Sequence, residues 1–259
     1  MRPNISNCHA LPGTLIIFEG ADGSGKTTQV KTLKKMLEKE WHEVTVSSWK
    51  TAPIIGDFLT TNESLKKFDE RILPETGLFM QSADLLYRIE REVIPAMKRW
   101  HIVILDRGLQ TLIVRGLMIG MSDEQLRTGL LWWRNSIYKE LFDRAHTIHI
   151  TVDAETSLAR LTKRAWKEKQ KLLGKQEKGK MDGTLLTLHF INTLVYAPDG
   201  KKMTRSDKKG FIKKTQAQII DSYNAVFQSE KSKAIEINRM KKSWEIAEAL
   251  KKQVLEMII

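Results

Sequence analysis

The 259-residue sequence predicts an α/β fold: a five-stranded parallel sheet with helices on both faces. Three observations carry that expectation. Short apolar runs alternate with amphipathic stretches, two of the runs (TLIIFE and HIVIL) are continuously apolar rather than apolar at every second residue, and the first of them ends in a glycine-rich turn. A strand that is apolar on both sides is buried on both sides, as in a parallel sheet covered by helices. With 41% hydrophobic and 29% charged residues the chain can bury a core, which excludes wholesale disorder and fibrous repeats.

Taken in order, residues 1–13 read as a flexible N-terminal tail and 14–259 as one domain. Thr14 to Glu19 (TLIIFE) is the first strand, and 27–40 places Val30, Leu33 and Leu37 at helical spacing with Lys and Glu opposite. Val44 to Trp49 is the second strand. A long amphipathic stretch from about Glu75 to Trp100 follows, interrupted by Pro95. His101 to Leu105 (HIVIL) is the third strand, 122–142 is helical, and Thr147 to Val152 is the fourth strand. Residues 155–164 and 211–228 are helical, Ala234 to Ile237 forms the fifth strand, and a helix closes the chain at 243–258. In such sheets a ligand lies at the carboxyl ends of the strands. That edge collects Glu19–Thr27, Asp106–Arg107 and Asp153.

Composition narrows the setting. Cys8 is the only cysteine, which excludes an internal disulfide and any zinc site needing several thiolates. No apolar run approaches the roughly 20 residues needed to span a bilayer, and the first residues lack an apolar signal core. The expectation is a cytoplasmic protein without a membrane partner. The formal charge is +12, and half of it lies in 165–210, where 11 Lys or Arg face 5 Asp or Glu. Such a balance suits an anionic partner. The segment is read as a basic lid or insertion; it leaves nucleic acid open as a partner, with nucleotides favoured. Within it His189 reads as a packed or surface residue, and Trp132-Trp133 upstream as helix packing or a dimer face.

Gly20-Ala21-Asp22-Gly23-Ser24-Gly25-Lys26-Thr27 fits G-x-x-x-x-G-K-[ST] at every specified position. Glycines let the backbone curl so that N–H groups point at a phosphate, and the helix that follows adds its positive end. Lys26 supplies a point charge for the β- and γ-phosphates, and the Thr27 hydroxyl suits Mg²⁺. Asp106, at the end of the HIVIL strand, can hold the same metal through water, and Arg107 can fork onto a phosphate. Arg160, Lys163 and Arg164 share one helical face that could close over a transferring group. Arg88 and Arg91, three apart on the long helix, can each reach toward an acceptor phosphate.

Together these stretches resemble the thymidylate kinase family. FEGADGSGKTTQ (18–29) is similar to its opening strand and phosphate loop. SADLLYRIEREVIPAMKRWHIVILDR (82–107) is similar to the helix leading to its Asp-Arg strand end. HITVDAETSLARLTKR (149–164) and FIKKTQAQIIDSYNAVF (211–227) resemble its lid and C-terminal part. The likeness covers most of 14–259 except 165–210. It implies a three-layer P-loop sandwich and a homodimeric kinase that passes the γ-phosphoryl of ATP to deoxythymidine monophosphate with Mg²⁺. By position, Gly20, Asp22, Gly23, Ser24, Gly25, Lys26, Thr27 and Thr28 hold ATP, and Thr27 with Asp106 holds the metal. Lys26, Asp22, Arg107, Arg160 and Arg164 carry the transfer, with Arg107 on the acceptor phosphate and Asp22 near the acceptor sugar or the metal.

The departures lie on the acceptor side. The family places Tyr or His after Asp-Arg, where this chain has Gly108. Its Arg-Glu-Pro-Gly-like loop is replaced by Trp49-Lys50-Thr51-Ala52-Pro53, which leaves Lys50 as the cationic substitute. Its thymine-stacking Phe and nearby Arg correspond to Gln81 and Leu85, with Phe79, Tyr87 and Arg88 close by. Lys50, Gln81, Tyr87, Arg88 and Arg107 are therefore the acceptor candidates. A different acceptor on the same donor site (a nucleoside, a modified base in DNA, another metabolite) and a non-catalytic nucleotide-binding protein are the alternatives.

Overall fold

The computed structural model describes residues 11–49, 51–53, 55–64, 72–136, 138–175, 205–229, 235–238 and 243–258. Strand β1 (Thr14–Glu19) leads through the glycine-rich turn into α1 (Lys26–Glu38), then β2 (Val44–Ser47) and α2 (Ile55–Ser64). Next comes α3 (Pro74–Arg88), a π turn (Ile89–Val93) and α4 (Ile94–Met97), which together make one long rod. Strand β3 (Ile102–Asp106) is followed by α5 (Leu109–Met118), a second π turn (Gln125–Leu130), α6 (Trp132–Ser136) and α7 (Lys139–Arg144). Strand β4 (His146–Thr151), α8 (Ala154–Lys175), α9 (Arg205–Ser229), β5 (Ile235–Asn238) and α10 (Ser243–Ile258) complete the order.

All strand pairs are parallel, in the order β2-β3-β1-β4-β5. Successive residues of a strand face opposite ways, and the two cores divide accordingly. Leu15, Ile17, Val103 and Leu105 face a core closed by α3, α5 and α9. Ile16, Phe18, Ile102, Ile104, Ile148 and Ile150 face a second core, closed by Val30, Leu33 and Leu37 of α1 and by Ile246, Leu250 and Val254 of α10. Helices thus cover both faces, as the unbroken apolar runs predict. Each fully buried Leu or Ile contributes about 2 kcal/mol of burial. Glu19, Ser47, Asp106 and Thr151 end their strands along one edge, offset from one another by one or two residues of register.

The structure also departs from the expectations. Pro95 does not break the rod: the π turn ends just upstream with Ile94 N–H donating to Ile89 O, and the proline falls in the first turn of α4, where a missing N–H is tolerated. The single helix expected over 122–142 is bent instead at Leu131 and Tyr138, both outside helical geometry. The bends let Trp133, Tyr138 and Phe142 bury together, while Trp132 stays 55% exposed. Helices α2 and α5 were not expected at all. Leu11 to Gly13, read as tail, pack on the body: Leu11 is buried and Gly13 N–H donates to Met97 O at 3.0 Å. Residues 165–175 extend α8 and 205–210 begin α9; the rest of the insertion, with His189, lies outside the described residues.

Candidate active site

The turn after β1 is built for close approach. Gly20, Gly23 and Gly25 all have positive φ, and a Cβ at Gly23 would stand 2.7 Å from the Ser157 carbonyl oxygen. Glycine is the residue that tolerates both demands. Ser24 and Lys26 are buried, whereas Thr27 and Thr28 open to solvent at the start of α1. The Lys26 ammonium turns back on the loop and donates to Gly20 O at 2.5 Å and Ala21 O at 2.8 Å. Burial, and then the charge of Arg107, push it down to about 7, against the pull of Asp22, Asp106 and Glu19.

Across this loop, the end of β3 presents Asp106 and Arg107. Thr27 Oγ1 donates to Asp106 Oδ2 at 3.4 Å, so the two hard oxygen donors proposed for Mg²⁺ adjoin one another. A hydroxyl and one carboxylate suit Mg²⁺, which keeps waters and phosphate oxygens for its other positions. Among the described residues no cluster of three or more His, Cys, Asp or Glu offers an all-protein metal cage. Arg107 takes a left-handed backbone, φ 69, and its guanidinium ion-pairs with Asp22. Burial opposes its charge, but Asp22, with Tyr223, Asp106 and Glu19 behind it, more than compensates and raises the guanidinium above its ordinary value.

Beneath Arg107 lies a polar network that sequence reasoning missed. Glu19 is fully buried. Its Oε1 accepts from Gly108 N at 2.7 Å and Thr111 N at 3.3 Å, and its Oε2 from Thr111 Oγ1 at 2.6 Å. Desolvation raises its pKa, against those donors and Arg107. Thr111 Oγ1 also meets Tyr223 OH at 2.9 Å, and Arg107 Nη1 donates to that phenol at 3.4 Å. Gly108 is fitted to this wall, since a Cβ there would stand 2.8 Å from Ile17 Cγ2. The missing aromatic side chain after Asp-Arg therefore reflects a wall with no room for one.

Beside the β3 end, the indole of Trp49 lies under two guanidinium groups, Arg88 at 5.6 Å and Arg115 at 5.1 Å from the ring centre. Arg88 is fully buried and bound to Asp84 at 3.0 Å, with weaker contacts to the carbonyls of Asp106 and Arg107. Burial lowers its pKa while Asp84 opposes the fall. Its guanidinium is thus engaged in holding the β3 end rather than open to a ligand. Arg115 is half-buried and donates to Gln81 Oε1 at 2.9 Å. Among the described residues no carboxylate lies within ion-pair distance of it, and the buried Trp49 Nε1 has no acceptor. Gln81, an acceptor candidate from the sequence, thus lies beside Arg115, which the sequence reading did not single out. Its signal was a lone cation inside the apolar run LIVRGLM. Tyr87 is half-buried and Phe79 and Arg91 are exposed; none joins the described contacts of the cluster. Lys50 lies outside the described residues.

Helix α8 starts with Asp153, whose side chain accepts from Thr156 N at 2.7 Å as an N-cap. Arg160 donates to Gly23 O at 3.2 Å, so it already touches the loop, while Lys163 and Arg164 stand one turn on, exposed. Ser157 Oγ donates to Asp22 O at 2.5 Å.

The thymidylate kinase family model matches residues 18–182, well over half of the chain. This chain belongs to the thymidylate kinase family. A thymidylate kinase of Caldanaerobacter subterraneus subsp. tengcongensis is 31% identical over 116 residues, covering 44% of this chain and 55% of the relative. A probable thymidylate kinase 2 of Saccharolobus solfataricus is 29% identical over 151 residues, 58% of this chain and 65% of the relative. A thymidylate kinase of Maridesulfovibrio salexigens is 31% identical over 183 residues, 67% and 76%. The chain thus spans between about half and two thirds of the first two relatives. As a thymidylate kinase family member it combines a glycine-rich donor loop with an Asp-Arg strand end on one sheet edge. Among the described residues no helix is long and apolar enough to cross a membrane.

Proposed function

We propose that the protein transfers the γ-phosphoryl group of ATP to deoxythymidine monophosphate, releasing ADP and deoxythymidine diphosphate. One observation carries the reading: the Asp22–Arg107 ion pair brings an acceptor-side guanidinium directly against the donor loop. Phosphoryl transfer needs no covalent protein intermediate, so catalysis is positioning and charge neutralisation. The amides of Gly20 to Thr28 and Lys26 hold the triphosphate, and Arg107 holds the acceptor phosphate once that anion competes for its Asp22 contact. Arg160 and Arg164 approach from α8, neutralise developing charge and help exclude water. Thr27 and Asp106 hold Mg²⁺, which supplies charge neutralisation on the phosphate oxygens. Trp49, Arg115 and Gln81 face the acceptor base: an aromatic plane with a guanidinium that lacks a carboxylate suits a planar ring bearing carbonyls.

A homodimer fits the exposure of Phe58, Phe79 and Trp132. A cytoplasmic setting fits the nucleotide substrates and the single cysteine. Nucleic acid is not required by this reading. A second reading, the same donor with another monophosphate acceptor, is favoured by the Trp49–Arg115 cluster and Gly108, which stand where the resemblance leads one to expect other residues. ADP release measured over a panel of nucleoside and deoxynucleoside monophosphates tests both readings. Deoxythymidine monophosphate is expected to give the largest kcat/KM. A higher value for another base establishes the second reading, and no ADP release with any acceptor overturns both.

A further inference from the structure

Both halves of the Asp22–Arg107 contact are held by one helix. Gln216 of α9 is buried and donates to Asp22 O at 3.3 Å and Ser157 Oγ at 2.8 Å. Seven residues on, Tyr223 is also buried; its phenol meets Thr111 Oγ1 at 2.9 Å and accepts from Arg107 Nη1 at 3.4 Å. A spacing of seven is two helical turns, so both side chains leave the same face, about 10 Å apart along the axis. The protons have a consistent order. Thr111 O–H donates to Glu19 Oε2, which leaves the Thr111 oxygen to accept from Tyr223 O–H, and the Tyr223 oxygen to accept from Arg107. The remaining anchor is Glu19 on Gly108 N, next to the left-handed residue 107. A bulky residue holds that backbone only where its surroundings over-determine it.

We propose that Gln216 and Tyr223 are positioning residues, with Thr111 and Glu19 behind Tyr223: α9 acts as a rail that aligns the acceptor arginine against the donor loop. The inference rests on the proposed phosphoryl transfer and deepens it.

Tyr223→Phe is the deciding variant. It keeps the ring that lies 6.0 Å from His149 and loses only the hydroxyl. Kinetics with ATP and the best acceptor, together with thermal unfolding, are the readouts. Tyr223→Phe is expected to lower kcat/KM for the acceptor about tenfold, the scale of one hydrogen bond to a charged group. KM for ATP and the melting temperature should stay close to those of the unaltered protein. Thr111→Val is expected to show the same loss, Thr111→Ser to recover most of it, and the Thr111→Val/Tyr223→Phe double variant to be no worse than either alone. Phe227→Leu, on the same helix against His149, should lower the melting temperature without that kinetic signature. Acceptor kinetics within twofold of the unaltered protein in Tyr223→Phe would overturn the proposal, as would losses that track the melting temperature. If the unaltered protein phosphorylates no monophosphate, the underlying reading fails and takes this one with it. An active protein with an indifferent Tyr223→Phe sinks this one alone.

Discussion

The donor loop and the acceptor wall are neighbours made from different materials. The loop is backbone: glycines with positive φ curl its main chain, and the Lys26 ammonium closes it on the carbonyls of Gly20 and Ala21. The proposed acceptor wall is side chain: Trp49, then Gln81 and Arg88 of α3, then Arg115 of α5 come from three separate stretches and meet only in the fold. A backbone site tolerates little variation in sequence, because few residues other than glycine adopt its conformation. A side-chain site can be rebuilt from other residues at other positions, which is the role proposed for the indole and the α5 guanidinium.

The contrast can be attacked first at Lys26. Lys26→Ala is expected to reduce turnover on the order of a thousandfold, because no neighbour can replace a buried ammonium in a backbone cradle. Steady-state rates of ADP release with any accepted monophosphate check this, and retention of most activity would put the donor site elsewhere. The strand behind the loop offers a pH handle. His149 is buried, and its ring stacks on Phe227 at 3.9 Å; burial, and then the charge of Lys26, push the imidazole down to about 4 from 6.5. The folded value is the lower one, so the unfolded chain takes up the proton first on acidification. The contribution is therefore full above about 6.5 and is lost as pH falls toward 4, by about 3 kcal/mol at most. Chemical denaturation at pH 7 and pH 4.5 measures the slope, and His149→Gln should flatten it.

On the acceptor side the expected effects are smaller. Gly108→Ala presses a methyl on Ile17 and should destabilise the fold by about 1–3 kcal/mol, read as a lower melting temperature. An unchanged melting temperature would mean that the wall yields, and that glycine at 108 has another cause. Arg115→Gln is expected to raise KM for the acceptor about tenfold and leave KM for ATP alone, since its described contacts are with Gln81 and Trp49 and none is with the loop. An effect confined to ATP would reverse the assignment of the two halves.

How much of this was legible follows the same division. Strands β1 and β3 were readable because each is apolar through both faces, and the loop because its spacing is its chemistry. Helix α5 was not readable: Leu109 to Val114 are all buried, so no polar face marks a helical period. Its first turn follows Gly108, which offers no side-chain cap. The polar network under Arg107 was hidden for a different reason. Glu19, Thr111 and Tyr223 are far apart along the chain, and each taken alone is an ordinary residue type. Two signals were nonetheless there to use: an acidic residue closing the apolar run TLIIFE, and a tyrosine within the apolar stripe Ile219, Ile220, Val226, Phe227. Arg88 shows the opposite error. Its place on the long helix suggested a ligand contact, whereas burial with Asp84 commits it to the scaffold.

One detail of the donor loop reaches past geometry. Because Lys26 already clasps the carbonyls of Gly20 and Ala21, an arriving triphosphate has to break an internal embrace before it can form its own. Net affinity is then the difference between two sets of bonds of similar kind. Under the proposed reaction, a nucleotide one phosphate shorter competes less for the ammonium, and the expected outcome is that Lys26 returns to those two carbonyls as it leaves.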